Sequence, residues 1–148
     1  MTLKRELINI AKYAQIASRK LAGVTSLQKN LLLKRMAKAL IDNKKKILAA
    51  NRRDIFSAQR VGHPEAFIER LSLNERKINE MAGSLLELAR LPDPVGQVMK
   101  EWKRPNGLLI KKVRTPIGVI AIIYESRPNV PSDCAGLCFK SGNSVILR

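Results

Sequence analysis

Residues 119–148 read VIAIIYESRPNVPSDCAGLCFKSGNSVILR, and this stretch decides the fold. Val119–Tyr124 is apolar on both faces, which predicts a strand buried between layers rather than an alternating edge strand. Glu125–Pro131 is a polar, proline-rich turn. Ser132 then offers its hydroxyl as the cap of a helix running to about Lys140. Ser141-Gly142-Asn143 turns the chain, and Ser144–Leu147 is a second short apolar strand. Strand, helix and strand with short links make a βαβ unit, two parallel strands joined by a right-handed crossover. The predicted class is α/β, with the start of a parallel Rossmann-like sheet at the carboxyl end. One crossover helix cannot cover both faces of a strand pair. The pattern therefore predicts more chain beyond Arg148 and, for these residues alone, an aggregation-prone apolar edge.

Immediately upstream, Val98–Arg104 and Leu108–Arg114 flank Pro105-Asn106-Gly107. Asn-Gly favours a hairpin because both residues accept positive φ, so a two-stranded ribbon with basic side chains is expected. Before it, Leu91-Pro-Asp-Pro-Val-Gly96 ends a helical region. Leu3, Leu7, Ile10, Ala14, Ala17 and Leu21 form one stripe of a first helix. Thr25 or Ser26 caps a second helix to about Ala50, with Leu27, Leu31, Met36, Leu40, Ile47 and Leu48 inward and Lys44-Lys45-Lys46 outward. After a bend, Asn51–Val61 continues as helix. Pro64 opens a short helix, Glu65–Leu71. Ser72-Leu-Asn-Glu75 is a capping box for a further helix to about Arg90, with Ile78, Met81, Leu85 and Leu88 inward. The expected division is a helical segment over residues 1–96, a β-hairpin arm over 97–114, and the first βαβ unit of a cofactor domain over 115–148.

Composition bounds the function. The chain has 148 residues, of which 45% are hydrophobic, enough for one core. No run approaches the length of a membrane span, and the first ten residues lack the apolar core of a secretory signal, so a cytoplasmic protein is expected. The net charge of +16 is concentrated in residues 1–60, where 15 Lys/Arg face Glu6, Asp42 and Asp54. Such a surface attracts polyanions, but a basic patch alone specifies no partner. Trp102 and Tyr13 are isolated, which speaks against a stacking platform for nucleic acid. Cys134 and Cys138 with His63 make a poor metal site and are read as small apolar residues.

The first βα turn carries no glycine, so neither the dinucleotide fingerprint nor a phosphate-binding G-x-x-x-x-G-K is present. Tyr124-Glu-Ser-Arg-Pro-Asn129 nevertheless sits at the carboxyl end of a strand, where open α/β sheets bind ligands, so its residues read equally as a ligand site and as a polar turn capped by proline. Within it, Arg127 can take a phosphate or carboxylate in two parallel hydrogen bonds. Arg148 ends the second strand on the same side, where its cation either meets a ribose phosphate or is a chain-end surface charge, the reading that composition alone favours.

The segments LPDPVG, VRTPIGVIAIIYESRPNV and LCFKSGNSVILR resemble the gamma-glutamyl phosphate reductase family of the aldehyde dehydrogenase superfamily, as do RLSLNERKINEMA and AANRRDI. The resemblance implies NADPH-dependent reduction of L-glutamyl 5-phosphate to L-glutamate 5-semialdehyde and phosphate, a step of proline biosynthesis. It implies that Ile122, Ile123, Tyr124 and Glu125 line the cofactor cleft and that Arg148 contacts the adenosine ribose. An arginine there is compatible with a 2′-phosphate and so with NADPH/NADP. Ser126 and Arg127 are matched to the acyl phosphate or substrate carboxylate. Many aldehyde dehydrogenases place an asparagine oxyanion donor just after the aromatic. Glu125 stands there instead, which leaves Asn129 or some other group for that role. The family's catalytic cysteine lies downstream of Arg148, so no catalytic residue is expected within these residues and the chain alone is not expected to turn over. The resemblance further implies a homo-oligomer and admits glutamate 5-kinase as a partner. Two other readings stand beside it: a basic helical nucleic-acid module, and a non-catalytic partner of a full-length reductase.

Overall fold

A computed structural model describes residues 3–148. The elements run α1 (Leu3–Leu21), α2 (Ser26–Asp42), α3 (Lys44–Val61), α4 (Glu65–Leu71), α5 (Glu75–Arg90), β1 (Val98–Lys103), β2 (Leu109–Val113), β3 (Val119–Ile122), α6 (Val130–Lys140) and β4 (Ser144–Leu147). The class is α/β as expected: helices, a hairpin, then a parallel pair with its crossover helix.

The core lies where α2, α5 and α6 meet. Leu33, Ala37, Ala82, Leu85 and Ala89 are buried there, with Met36, Leu40, Leu88 and Phe139 packed against them. Gly136 is what lets α6 lie so close. A Cβ on it would stand 2.7 Å from Leu85 Cδ2 and 3.0 Å from Leu88 Cδ1.

The inward face of α2 differs from the expected one. Leu27 is 78% exposed and Leu31 is exposed, while Lys29, Leu33 and Ala37 are buried. The reason is a charge in the core. Lys29 Nζ donates to both carboxylate oxygens of Asp93 at 3.1 and 2.9 Å, and Ser26 Oγ and Val95 N also donate to that carboxylate, at 2.8 and 3.0 Å. A lysine so paired can sit inside, and an apolar-stripe reading passes over it. Along α1 the side chains are largely exposed, and only Ala14, Ser18 and Leu21 are half-buried.

Several boundaries also move. Thr25 caps α2 with Gln28 in a reciprocal box. The helix then ends at Asp42, earlier than Ala50, because the Asn43 side chain donates to Ala39 O and competes with the helical ladder. Asn74, not Ser72, caps α5, accepting from Lys77 N at 2.8 Å, while Ser72 Oγ is used on Ile68 O at the end of α4. Helix α6 begins at Val130 rather than at a Ser132 cap. Pro131 lies in its first turn, where a missing N–H costs nothing, and Ser132 Oγ donates to Asn129 O.

Strands β1 and β2 pair antiparallel, with Trp102 opposite Ile110. Their turn is not one with two positive-φ residues. Only Gly107 is positive, at φ 88°, and it follows a turn closed by Gly107 N to Arg104 O at 2.9 Å. Pro105 holds the φ of a type I turn at the second position, and Gly107 forms the bulge after it. Strands β3 and β4 pair parallel, Val119 with Ser144 through Ile122 with Leu147. β4 has the expected bounds, and β3 is two residues shorter than expected. Both α1 and α6 pack on β4, and Ser144 Oγ donates to Ala14 O at 2.7 Å.

Candidate functional site

The pairing of β3 with β4 continues in the backbone beyond the strands. Arg148 N donates to Ile122 O at 3.0 Å, and Tyr124 N donates to Arg148 O at 2.9 Å. Tyr124 and Arg148 are therefore neighbours at one end of the pair. From Tyr124 the chain makes a tight turn, with Arg127 N against Glu125 O and Val130 N on Arg127 O, and enters α6.

Beneath this turn lies an apolar groove of about 860 Å³ between α2, α3, α5 and the start of α6. Tyr124, Ser126, Arg127 and Ser132 line its turn side, and Met36, Leu40 and Met81 line its helical side. The structure thus brings three of the singled-out residues to one hollow: Tyr124, Ser126 and Arg127. The others lie around it. Ile122 is half-buried in β3, and Ile123 is 87% exposed at the strand end. Glu125 is exposed and 3.8 Å from Arg70 Nη1, directed towards α4. Arg148 is exposed beside Tyr124. Asn129 donates to Asp133 Oδ2 at 2.9 Å and borders a second, smaller hollow.

Local sequence reasoning missed Asn51, Asp54, Arg70, Lys77 and Asp133, which line one or other hollow. Most lie on helices far upstream and arrive through the α2–α5–α6 packing, for which no local motif speaks. Asn51 is a structural member. It is buried, it donates to Leu71 O at 2.8 Å, and it accepts from Leu73 N at 2.8 Å, fixing the wall between α4 and α5.

Cys138 lacks the surroundings of a nucleophile. Cys138 is buried, and burial pushes its thiol up, with neighbouring Cys134 adding to the shift. Among the described residues no group of three or more His, Cys, Asp or Glu is placed to hold a metal ion, and no helix is long and apolar enough to cross a membrane.

No protein-family model matches the chain. It is similar to the gamma-glutamyl phosphate reductase of Carboxydothermus hydrogenoformans, 52% identical over 143 residues, which covers 97% of this chain and 34% of the relative. Its fold is similar to the crystal structure of gamma-glutamyl phosphate reductase from Thermotoga maritima, with a TM-score of 0.92 and 43% identity over 97% of this chain and 34% of that one. The Saccharomyces cerevisiae enzyme gives a TM-score of 0.91 at 33% identity, covering 95% of this chain and 36% of that one. The chain spans about a third of the length of the curated relatives it matches. In sequence and in fold, these 148 residues are homologous to an N-terminal portion of gamma-glutamyl phosphate reductase.

Proposed function

We propose that Val119–Arg148 is one wall of an NADPH cleft, and that the groove under its turn belongs to the acyl phosphate site of an enzyme reducing L-glutamyl 5-phosphate to L-glutamate 5-semialdehyde and phosphate for proline biosynthesis. One observation carries the reading. The parallel register sets Tyr124 beside Arg148 at the carboxyl end of the pair, while the same turn presents Ser126 and Arg127 to the groove. That end is where open α/β sheets hold nucleotides.

The residues suit a dinucleotide. Exposed Ile123 and half-buried Tyr124 offer apolar surface to a ring, and the Arg148 guanidinium is a fixed cation for a ribose phosphate. When bound, NADPH supplies the hydride. The chain's own part is placement. Arg127 can hold the phosphoryl oxygens of the substrate through paired N–H donors, and the Ser126 hydroxyl can donate beside it. The thiolate that attacks the acyl carbon comes from elsewhere in the full enzyme, since Cys138 is buried and neither helical cysteine lines the groove. On this reading residues 1–96, 97–114 and 115–148 are the helical segment, hairpin arm and cofactor unit. The exposed hairpin offers its edges for self-association, and the setting is cytoplasmic.

The test is a chimera joining these residues to the rest of the Thermotoga maritima reductase. Phosphate-dependent reduction of NADP by glutamate semialdehyde is expected from the chimera and not from the 148-residue chain. A folded but inert chimera, or turnover by the chain alone, contradicts the proposal.

A further inference from the structure

Helix α3 has a second surface, which the groove does not use. Its inner side holds buried Asn51 and Ala58, and Asp54, its one acidic residue, lines the groove. At 3.6 residues per turn, Lys45, Lys46, Ala49, Arg52, Arg53, Phe56 and Arg60 fall within about 120° of one another on the opposite side. All seven are exposed, Phe56 at 61%. The helix packs on α4 and α5, and this outer face is left open.

The face holds five cations and no anion. Lys44, next to it, pairs with Glu75, but none of the five enters an ion pair among the described residues. Arg60 has an internal contact, its guanidinium lying 5.9 Å from the centre of the Phe56 ring. The cations also repeat. Lys45 and Arg52, Lys46 and Arg53, and Arg53 and Arg60 each stand two helical turns apart, about 10.5 Å along the axis.

Charge and spacing together narrow the partner. A second copy of this face would set like charges against each other, and a helical seam needs apolar rows that are missing here. A helix lying in a membrane surface needs a broad apolar side free for lipid. In α3 only Ala49 and Phe56 are apolar on the open side, and both lie among the cations. Duplex DNA fits. Its major groove is about 12 Å wide, so cations about 10.5 Å apart on one helix reach phosphates of both rims. Arginine forks take those oxygens in pairs. An A-form RNA duplex closes its major groove to side chains, and one phenylalanine makes no stacking platform for a single strand.

We infer that the outer face of α3 is a docking surface for duplex DNA, with Lys45, Lys46, Arg52, Arg53 and Arg60 on the phosphates. Contacts of this kind hold the duplex without reading its sequence. The surface lies across the helix from the groove, so it is independent of the reductase reading, and DNA docked there leaves the groove open.

The experiment is fluorescence anisotropy of a labelled DNA duplex of about 20 base pairs, titrated with the chain between about 50 and 200 mM KCl. Micromolar binding is expected at the lowest salt, weakening by about 40- to 500-fold over that range, as three to five phosphate contacts require. Arg52→Gln with Arg53→Gln should weaken binding at least about tenfold and reduce the log–log salt slope by about 2. Arg52→Lys with Arg53→Lys should keep the slope. Lys4→Gln with Lys12→Gln removes the same charge from exposed positions of α1 and should leave the slope unchanged. If the isolated chain aggregates, the same variants are compared in the chimera, where the same changes of slope are expected. An equal loss from the α1 pair means that net charge, not this face, holds the duplex, and overturns the inference. So does tighter binding to poly-L-glutamate or to anionic lipid vesicles than to the duplex, or no binding at the lowest salt.

Discussion

Replacing Gly136 with alanine tests how α6 is seated. In an unhindered helix, glycine to alanine stabilises by about 1 kcal/mol. At Gly136 the added methyl meets Leu85 Cδ2 at 2.7 Å, Leu88 Cδ1 at 3.0 Å and Leu33 Cδ2 at 3.6 Å. Leu85 is 1% exposed and Leu33 fully buried, so neither can swing into water. Overpacking a filled core costs about 1–3 kcal/mol, so the net is a loss of up to about 2 kcal/mol. Gly136→Val adds two more methyls and a poorer helix former, and should cost about 3 kcal/mol or more. Gly83 in α5 is the internal control, because a Cβ there meets nothing within 4 Å. Gly83→Ala should therefore stabilise by about 1 kcal/mol. Urea unfolding of the three variants reads these differences from the midpoints. If Gly136→Ala stabilised as much as Gly83→Ala, α6 would not lie on α5 as described, and the turn it carries would be misplaced with it.

Asp93→Asn should cost about 3–5 kcal/mol by the same assay, because it leaves the buried Lys29 ammonium without its counter-charge. Burial alone pushes the Asp93 carboxyl up, but hydrogen bonds from Lys29, Val95 N and Ser26, with the Lys29 charge, outweigh it and hold the group below its ordinary value of 3.8. Its contribution is therefore complete above that value and is lost as pH falls through the lower folded one, so the variant's stability curve should be flatter there. Asn51→Ala leaves Leu71 O and Leu73 N unpaired and should cost about 2–3 kcal/mol, loosening the wall of the groove first in hydrogen exchange. In the chimera, Arg148→Ser should raise KM for NADPH and leave KM for NADH unchanged. An equal effect on both would remove the 2′-phosphate contact.

What was legible in the sequence was what depends on near neighbours. The parallel pair, its crossover helix and the position of the polar turn follow from VIAIIY, SVIL and the prolines between them, because continuous apolar runs bounded by turn residues have few alternatives. The hairpin was legible from Pro105-Asn106-Gly107, although its turn type was set by the proline rather than by the Asn-Gly pair. Illegible were features set at a distance. The α2 face was misjudged because Asp93, 64 residues away, makes Lys29 a core residue. The caps moved from Ser72 to Asn74 and from Ser132 to the Val130 start because both hydroxyls bond backwards to carbonyls, a choice that composition does not fix. At the site, the turn was visible from its own residues. Asn51, Lys77 and Asp133 were not, since only tertiary packing brings α3, α5 and α6 round it.

Every role proposed for Val119–Arg148 requires the carboxyl end of β3 and β4 to be a nucleotide cleft. A crystal structure of the chimera with NADPH tests this most directly. The adenosine phosphate is expected within hydrogen-bond reach of the Arg148 guanidinium, with the dinucleotide passing along Ile122–Glu125. NADPH seated away from both, with that strand end covered by another part of the enzyme, would contradict it.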